Sequence, residues 1–284
     1  MHRTRRSISR TRRALPLVAL ALVAALVAGC GSDPGNSKLL SDANNGTLTI
    51  GVHFDEPGLG FKNVAGKMTG FDIDVARYVA GQLGVDPSGI TWKDTPSGDR
   101  EKVLENSSVD LVVGTYSITD KRKKLVSFAG PYFIAGQDLL VRMNETGITG
   151  PQALNGRKLC SVKGSTSAAK VKEKYANGVH LAEYDRYSGC VNALLSGMVD
   201  AVTTDNTILA GYVAEFPELL KLVDKPFSTE RYGVGLAKGD TAGQAKVADA
   251  LQKMMDSGAW KDSLQRNLGP ANIPIPPPPK ITER

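Results

Sequence analysis

The stretch Val109-Asp110-Leu111-Val112-Val113-Gly114-Thr115-Tyr116-Ser117-Ile118-Thr119-Asp120-Lys121-Arg122 joins an apolar run to a cluster of hydroxyls and charges. Leu111 to Val113 is short and apolar, as a buried strand is. Thr115, Tyr116 and Ser117 follow at its carboxyl end. Thr119 can then cap a short helix that holds Arg122. Hydroxyls and free backbone N–H groups beside a guanidinium suit a carboxylate, which arginine grips through two parallel charge-assisted bonds. Alone, Arg122 in the basic run Lys121-Arg122-Lys123-Lys124 reads first as a solvated surface charge.

The pattern returns ninety residues later as Val199-Asp200-Ala201-Val202, followed by Thr204-Asp205-Asn206. In each copy a helix ends, a Val-Asp pair opens a strand, and polar residues close it. Between and around the copies, β-rich runs alternate with helical patterns. Leu48 to Val52, Gly89 to Trp92, Lys158 to Val162 and Val179 to Ala182 read as strands. Phe71 to Leu83, Thr166 to Tyr175 and Cys190 to Leu195 read as helices. This alternation predicts α/β architecture, with mostly parallel sheets flanked by helices. Ligands in open α/β sheets bind beyond the carboxyl ends of the strands, so two such ends facing each other would form a cleft.

The amino end has a different character. Met1 to Arg13 carries six arginines and no acid, and Ala14 to Gly29 is almost wholly apolar. That is the layout of an export signal, and the apolar run is shorter than the ~20 residues of a spanning helix. Arg5-Arg6 and Arg12-Arg13 leave twin-arginine export open beside the general route. Cys30 ends the run Leu26-Val27-Ala28-Gly29-Cys30. The whole +6 net charge lies in the signal, leaving 29 basic residues against 29 acidic ones. Such a neutral mature chain gives no ground for nucleic-acid binding. Cys160 and Cys190 lie in an exported chain, where disulfides persist, so they read as a bonded pair or as two buried thiols. His53 and His180 are the mature histidines, and no cluster has metal-ligand spacing. Neither a metal nor another cofactor is expected.

The expected organisation is a signal over 1–29, a flexible tether over 30–46, and two lobes. One lobe combines 47–138 with 230–268, and the other spans 139–229. Crossing strands are expected near Gln137 to Arg142 and Arg231 to Leu236. A proline-rich tail over 269–284, with Pro276 to Pro279 consecutive, is expected to be extended and outside the core.

Cys30 and the residues before it resemble the lipobox of bacterial lipoproteins. That resemblance implies a diacylglycerol on the thiol and a protein held at the outer face of the cell membrane. The core from Leu48 to Leu268 resembles the polar-amino-acid binding proteins of ABC importers, solute-binding family 3. The resemblance rests on Gly70-Phe71-Asp72-Ile73-Asp74-Val75, Thr119-x-x-Arg122, Phe128-Ala-Gly-Pro131-Tyr132 and Val162-Lys-Gly-Ser-Thr166. Val199-Asp-Ala-Val-Thr-Thr-Asp205 and Tyr232-Gly-Val-Gly235 extend it. Leu159-Cys160-Ser161-Val162, Tyr187-Ser-Gly-Cys190 and Asp205-Asn-Thr-Ile-Leu are similar to the lipid-anchored glutamate-binding branch, whose members pair the two cysteines.

The resemblance implies a monomeric two-lobed periplasmic-binding-protein type II fold, joined by two crossing strands. It closes on one free amino acid and docks on ABC permease subunits. It implies that Arg122 grips the ligand α-carboxylate with Ser117, that Thr166 adds a contact from the second lobe, and that Asp205 and Thr115 meet the α-ammonium. Arg100, with Ser97 beside it, falls where acidic-amino-acid binders hold the distal carboxylate. Tyr187 and Lys62 are further candidates. The ligand set is glutamate, aspartate, asparagine or glutamine, with glutamate foremost. The first loop, Phe54 to Phe61, lacks the aromatic wall that relatives often have. A ligand-sensing subunit of a signalling system shares this fold and pocket. A dehydratase-type enzyme on the same fold would need a cleft acid or base, for which His53 and Glu56 are the candidates, neither with an evident partner in sequence.

Overall fold

The computed structural model describes His2 and residues 37–175, 178–271 and 273–284. Apart from His2, the expected signal lies outside the described residues, as do Cys30 and the rest of the expected tether up to residue 36. The chain enters its body through α1 (Lys38–Asn44), β1 (Leu48–Val52), and the short strands β2 (Asp55–Glu56), β3 (Gly60–Lys62) and β4 (Met68–Thr69). Next come α2 (Phe71–Gln82), β5 (Ile90–Asp94), α3 (Arg100–Glu105), β6 (Leu111–Val112) and α4 (Asp120–Lys123). The long strands β7 (Ser127–Ala135) and β8 (Gln137–Arg142) lead to β9 (Lys158–Val162), α5 (Ser167–Lys174) and β10 (His180–Tyr184). α6 (Tyr187–Leu195), β11 (Ala201–Asp205), α7 (Asn206–Glu215) and β12 (Leu220–Leu222) follow. The chain returns through β13 (Glu230–Leu236), then α8 (Thr241–Asp256) and α9 (Ala259–Leu268).

These strands form two five-stranded sheets, ordered β5-β1-β6-β13-β7 and β10-β9-β11-β8-β12, with β2-β3-β4 as a small third sheet. β1 runs parallel to β5 and β6, and β9 runs parallel to β10 and β11. β13 pairs antiparallel with β7 in one sheet, and β8 pairs antiparallel with β11 and β12 in the other. Each large sheet is therefore mixed, with a parallel half that carries the repeated strand. The chain passes between sheets at Gly136, where β7 ends and β8 begins, and returns beside itself: Phe227 N–H donates to Gln137 O at 2.9 Å. Two such adjacent crossings leave a hinge between two lobes.

Sequence forms these elements for ordinary reasons. α2 places Phe71, Val75, Ala76, Val79 and Ala80 on its buried face at helical spacing. The buried strands Leu111–Val112 and Ala201–Asp205 occupy sheet interiors. In the second lobe Cys160 on β9 and Cys190 on α6 are joined by a disulfide, with Cα atoms 5.6 Å apart.

Two expectations fail at the edges of the body. The stretch expected as tether contains α1, capped by the Ser37 hydroxyl, which accepts from Leu40 N–H. Leu39 and Ala43, four residues apart, are buried against the core. The tail also returns to the body. Ile281 is buried, and Thr282 and Glu283 donate backbone N–H groups to Gly130 O at 2.8 Å each. Gly130 N–H donates back to Glu283 O at 3.0 Å, so the tail adds a bridge to β7.

Candidate functional site

The carboxyl ends of β6 and β11 meet at one cavity between the lobes. Eight of the nine expected residues line it: Ser97, Arg100, Thr115, Ser117, Arg122, Thr166, Tyr187 and Asp205. Ser165, Ser167, Thr204 and Ile208 complete the lining. Ser167 carried no sequence signal, since a serine in α5 reads as an ordinary helix position, and Ile208, although within the Asp205-Asn-Thr-Ile-Leu run, was not singled out as a contact. Lys62 is elsewhere. It is exposed at the end of β3, with Nζ 5.1 Å from the Phe54 ring centroid. Its charge is met by an aromatic face instead of facing the cleft.

Arg122 is buried, with one bond from each of its three side-chain nitrogens. Thr119 Oγ1 accepts from its backbone N–H at 3.2 Å, as the cap motif predicts. Its Nε donates to Glu101 Oε1 at 3.0 Å, and its terminal nitrogens to Ser117 O at 2.8 Å and Gly164 O at 2.9 Å. Burial lowers its pKa, and the charge of Arg100 adds to that shift. The Gly164 contact crosses the cleft. Gly164 has φ +75°, and a Cβ there would lie 2.5 Å from Gly98 Cα, so only glycine fits where the lobes touch.

Arg100 is buried to the same degree but is bonded differently. Its Nε donates to Ser97 O at 3.3 Å, and one terminal nitrogen to Gly114 O at 2.9 Å and Thr115 O at 3.3 Å. Its partners are carbonyl dipoles; among the described residues no carboxylate forms an ion pair with it. The guanidiniums of Arg100 and Arg122 both pack on the ring of Tyr116, with Cζ 4.5 Å and 5.0 Å from its centroid.

Thr115 occupies left-handed backbone space at φ +42°, which a β-branched residue rarely does. Asp72 Oδ2 accepts its N–H at 2.9 Å, and Glu56 Oε1 accepts its hydroxyl at 3.4 Å. Tyr132 donates to the other Asp72 oxygen at 2.7 Å. Burial raises the Asp72 pKa to about 6. His53 Nε2 lies 3.5 Å from Glu56 Oε1, so these two are neighbours despite showing no partner in sequence. Burial drives the His53 pKa down and that of Glu56 up, in each case toward the neutral form. Both sit beneath Thr115 rather than in the cavity lining.

From the second lobe comes Asp205, at the N-cap position of α7. Its side chain makes no capping bond. It accepts from Tyr232 Oη at 2.7 Å instead. Burial first, and then the charge of Glu230, raise its pKa to about 7. Thr204 Oγ1 donates to Tyr187 Oη at 2.7 Å. Thr166 stands at the N-cap position of α5 without a side-chain capping bond, beside Ser165 Oγ, which accepts from Ser167 N–H at 3.0 Å. The helix dipole favours an anion there. Across the cleft rim, Asp55 Oδ2 accepts from Ser188 N–H and Oγ at 3.1 Å each, and Arg186 takes Asp94 with two nitrogens. The lobes are shut, and the cavity measures about 10 Å³. Among the described residues no group of His, Cys, Asp or Glu is arranged to hold a metal ion.

Residues 48–270 match the model of the bacterial extracellular solute-binding proteins, family 3. The chain belongs to that family. Among its relatives, the glutamate-binding protein GluB of Corynebacterium efficiens is 41% identical over 269 residues, covering 91% of each chain. The ABC transporter glutamine-binding protein GlnH of Bacillus subtilis is 35% identical, covering 84% of this chain and 90% of the relative. Among solved structures, an ancestral arginine-binding protein bound to glutamine superposes with a TM-score of 0.74 at 35% identity. It covers 79% of this chain and 98% of its own. The fold of this family 3 protein is the two-lobed type II fold of such binding proteins.

Proposed function

We propose that this protein binds glutamate between its lobes and delivers it to an ABC importer, without catalysing a reaction. The observation that carries the ligand class is the contrast between the two buried arginines. Glu101 balances Arg122, whereas Arg100 donates to carbonyl oxygens, lies on the Tyr116 ring and, among the described residues, forms no ion pair with a carboxylate. Leaving a buried charge unpaired is costly, so the site as built favours a second carboxylate on its ligand. Arg122 then serves the α-carboxylate with Ser117 and Thr166, Asp205 and Thr115 serve the α-ammonium, and Arg100 with Ser97 serves the distal acid. Tyr187 closes the second-lobe side. A cavity of about 10 Å³ has no room for an amino acid, so the lobes part for entry and shut by a hinge motion. The glutamate-binding relative at 41% identity supports this reading.

Calorimetry on the mature protein against all twenty amino acids tests it. Glutamate should bind most tightly, aspartate next, and glutamine at least tenfold more weakly than glutamate. Equal affinity for glutamate and glutamine would refute the acidic ligand. Loss of glutamate uptake on gene deletion separates transport from sensing. We also propose that Cys30 carries the lipid anchor. Cys30→Ala should leave the precursor unprocessed or release the protein from the membrane fraction, with its fold intact, and normal processing with normal retention would refute the anchor.

A further inference from the structure

We infer that Tyr116 is the positioning residue that sets the spacing of the two arginines, and through them the preferred ligand chain length. The inference rests on the reading of Arg122 and Arg100 as the two carboxylate grips. Tyr116 is fully buried between α3, which carries Arg100, and α4, which carries Arg122. Both guanidiniums lie over its ring, within the ~6 Å at which a cation is drawn to a π face. The two charges repel each other in a desolvated site, and the electron-rich ring is the group that both contact.

The ring itself cannot shift. Phe128 packs on it edge to face, with centroids 4.8 Å apart and planes at 64°. Gly235 on β13 leaves the space it fills: a Cβ there would lie 2.8 Å from Tyr116 Cε1 and 2.9 Å from Cδ1. The hinge strand, the aromatic platform and both arginines are thus fixed to one another. The Tyr116 hydroxyl is directed at Glu101 without an aligned hydrogen bond, whereas the ring face is in contact with both guanidiniums, so the ring face is assigned the positioning role.

Substitution by ring analogues tests this without emptying the core. Tyr116→Phe should leave glutamate affinity within about threefold of the native protein. Phenylalanines bearing one, two and five ring fluorines keep the shape but progressively withdraw electron density from the face. Glutamate affinity should fall stepwise along that series, by about tenfold overall, while thermal midpoints without ligand stay level. The preference for glutamate over aspartate and over 2-aminoadipate, one methylene shorter and longer, should narrow in parallel. Tyr116→Leu should bring the three ligands within about threefold of one another. Affinity that ignores fluorination, or losses equal for all ligands including glutamine, would overturn the inference. The underlying reading fails separately, if the native protein does not prefer glutamate to glutamine. The fluorination series then reads on the amino acid that does bind, through Arg122.

Discussion

The two lobes contribute opposite chemistry to one cavity. The first supplies both guanidiniums, held by carbonyl oxygens, Glu101 and the Tyr116 ring. The second supplies an acid, Asp205, and hydroxyls around the start of α5. The first lobe holds its site residues by hydrogen bonds to a strained backbone at Thr115 and by packed aromatics. The second ties β9, which leads into Ser165 and Thr166, to α6, which carries Tyr187, by a covalent bond. The difference suggests a division of labour, in which a preformed cationic half receives the ligand and a braced half closes over it.

Removing the shared grips should break that division most severely. Arg122→Ala and Asp205→Ala should each cost about 3–5 kcal/mol in binding of any amino acid, because each strands a ligand charge. That is a loss of about two to four decades in affinity by calorimetry. Comparable loss from one lobe only would mean that the other merely covers the ligand. Next in size is the brace. The chain between Cys160 and Cys190 spans a separation of 30 residues, for which chain entropy gives roughly 3–4 kcal/mol. Cys160→Ser with Cys190→Ser should lower the thermal midpoint and weaken binding, seen by calorimetric scanning of the native and double-variant proteins.

Arg100→Ala sharpens the comparison within the first lobe. It should lower glutamate and aspartate affinity by about a hundredfold while changing glutamine by less than about tenfold. Equal losses would return Arg100 to a purely structural place.

Acidity probes the second lobe first, because Asp72 of the first lobe, raised to about 6, takes up its proton at lower pH than Asp205. Asp205 is raised from its ordinary value to about 7, so below that pH the ligand-free folded protein holds a proton there. The ammonium of an amino acid favours the ionised form, so binding releases the proton. Affinity should therefore weaken by up to about tenfold per unit as pH falls below about 7, and Asp205→Asn should remove that slope. For folding the sign is the reverse: the folded state holds more protons than the unfolded one between the ordinary aspartate value and about 7. This group's contribution to stability thus declines as pH rises through that window. The smallest effect belongs to the rim. Arg186→Ala removes the two-nitrogen contact with Asp94. It should weaken binding about three- to fivefold through faster ligand release, as expected of a half-exposed pair.

Much of this was legible because the sheet-end pattern repeats. The short apolar runs at Leu111 and Ala201 and the polar residues after them marked both walls of the cavity. Periodicity also located α2, since its buried face recurs every three to four residues. What escaped depended on contacts between distant residues. Lys62 was drawn to the cleft by charge alone, yet Phe54 holds its ammonium outside. The Ser- and Asn-rich composition around α1 reads as a tether, whereas the burial of Leu39 and Ala43 and the bonds of Ser37 to Asp240 and of Lys38 to Asp110 fasten it. The proline run predicts a tail outside the core, but Ile281 and the open edge of β7 give that tail a seat. β2, β3 and β4 are too short for periodicity to reveal.

Both ends of the described body are moored to the same half of the molecule. Ser37 Oγ donates to Asp240 Oδ2 at 2.7 Å, and at the far end Arg284 donates to Asp249 Oδ1 at 2.6 Å, both acceptors belonging to α8 or its cap. A reporter fused to the carboxyl terminus would therefore ride with the first lobe and stay blind to rotation within it. A dye on the second lobe, at the exposed Met198 for instance, would move against that reference. The seated tail thus supplies a fixed frame for a single-molecule amino-acid sensor, with the opposite half as its needle.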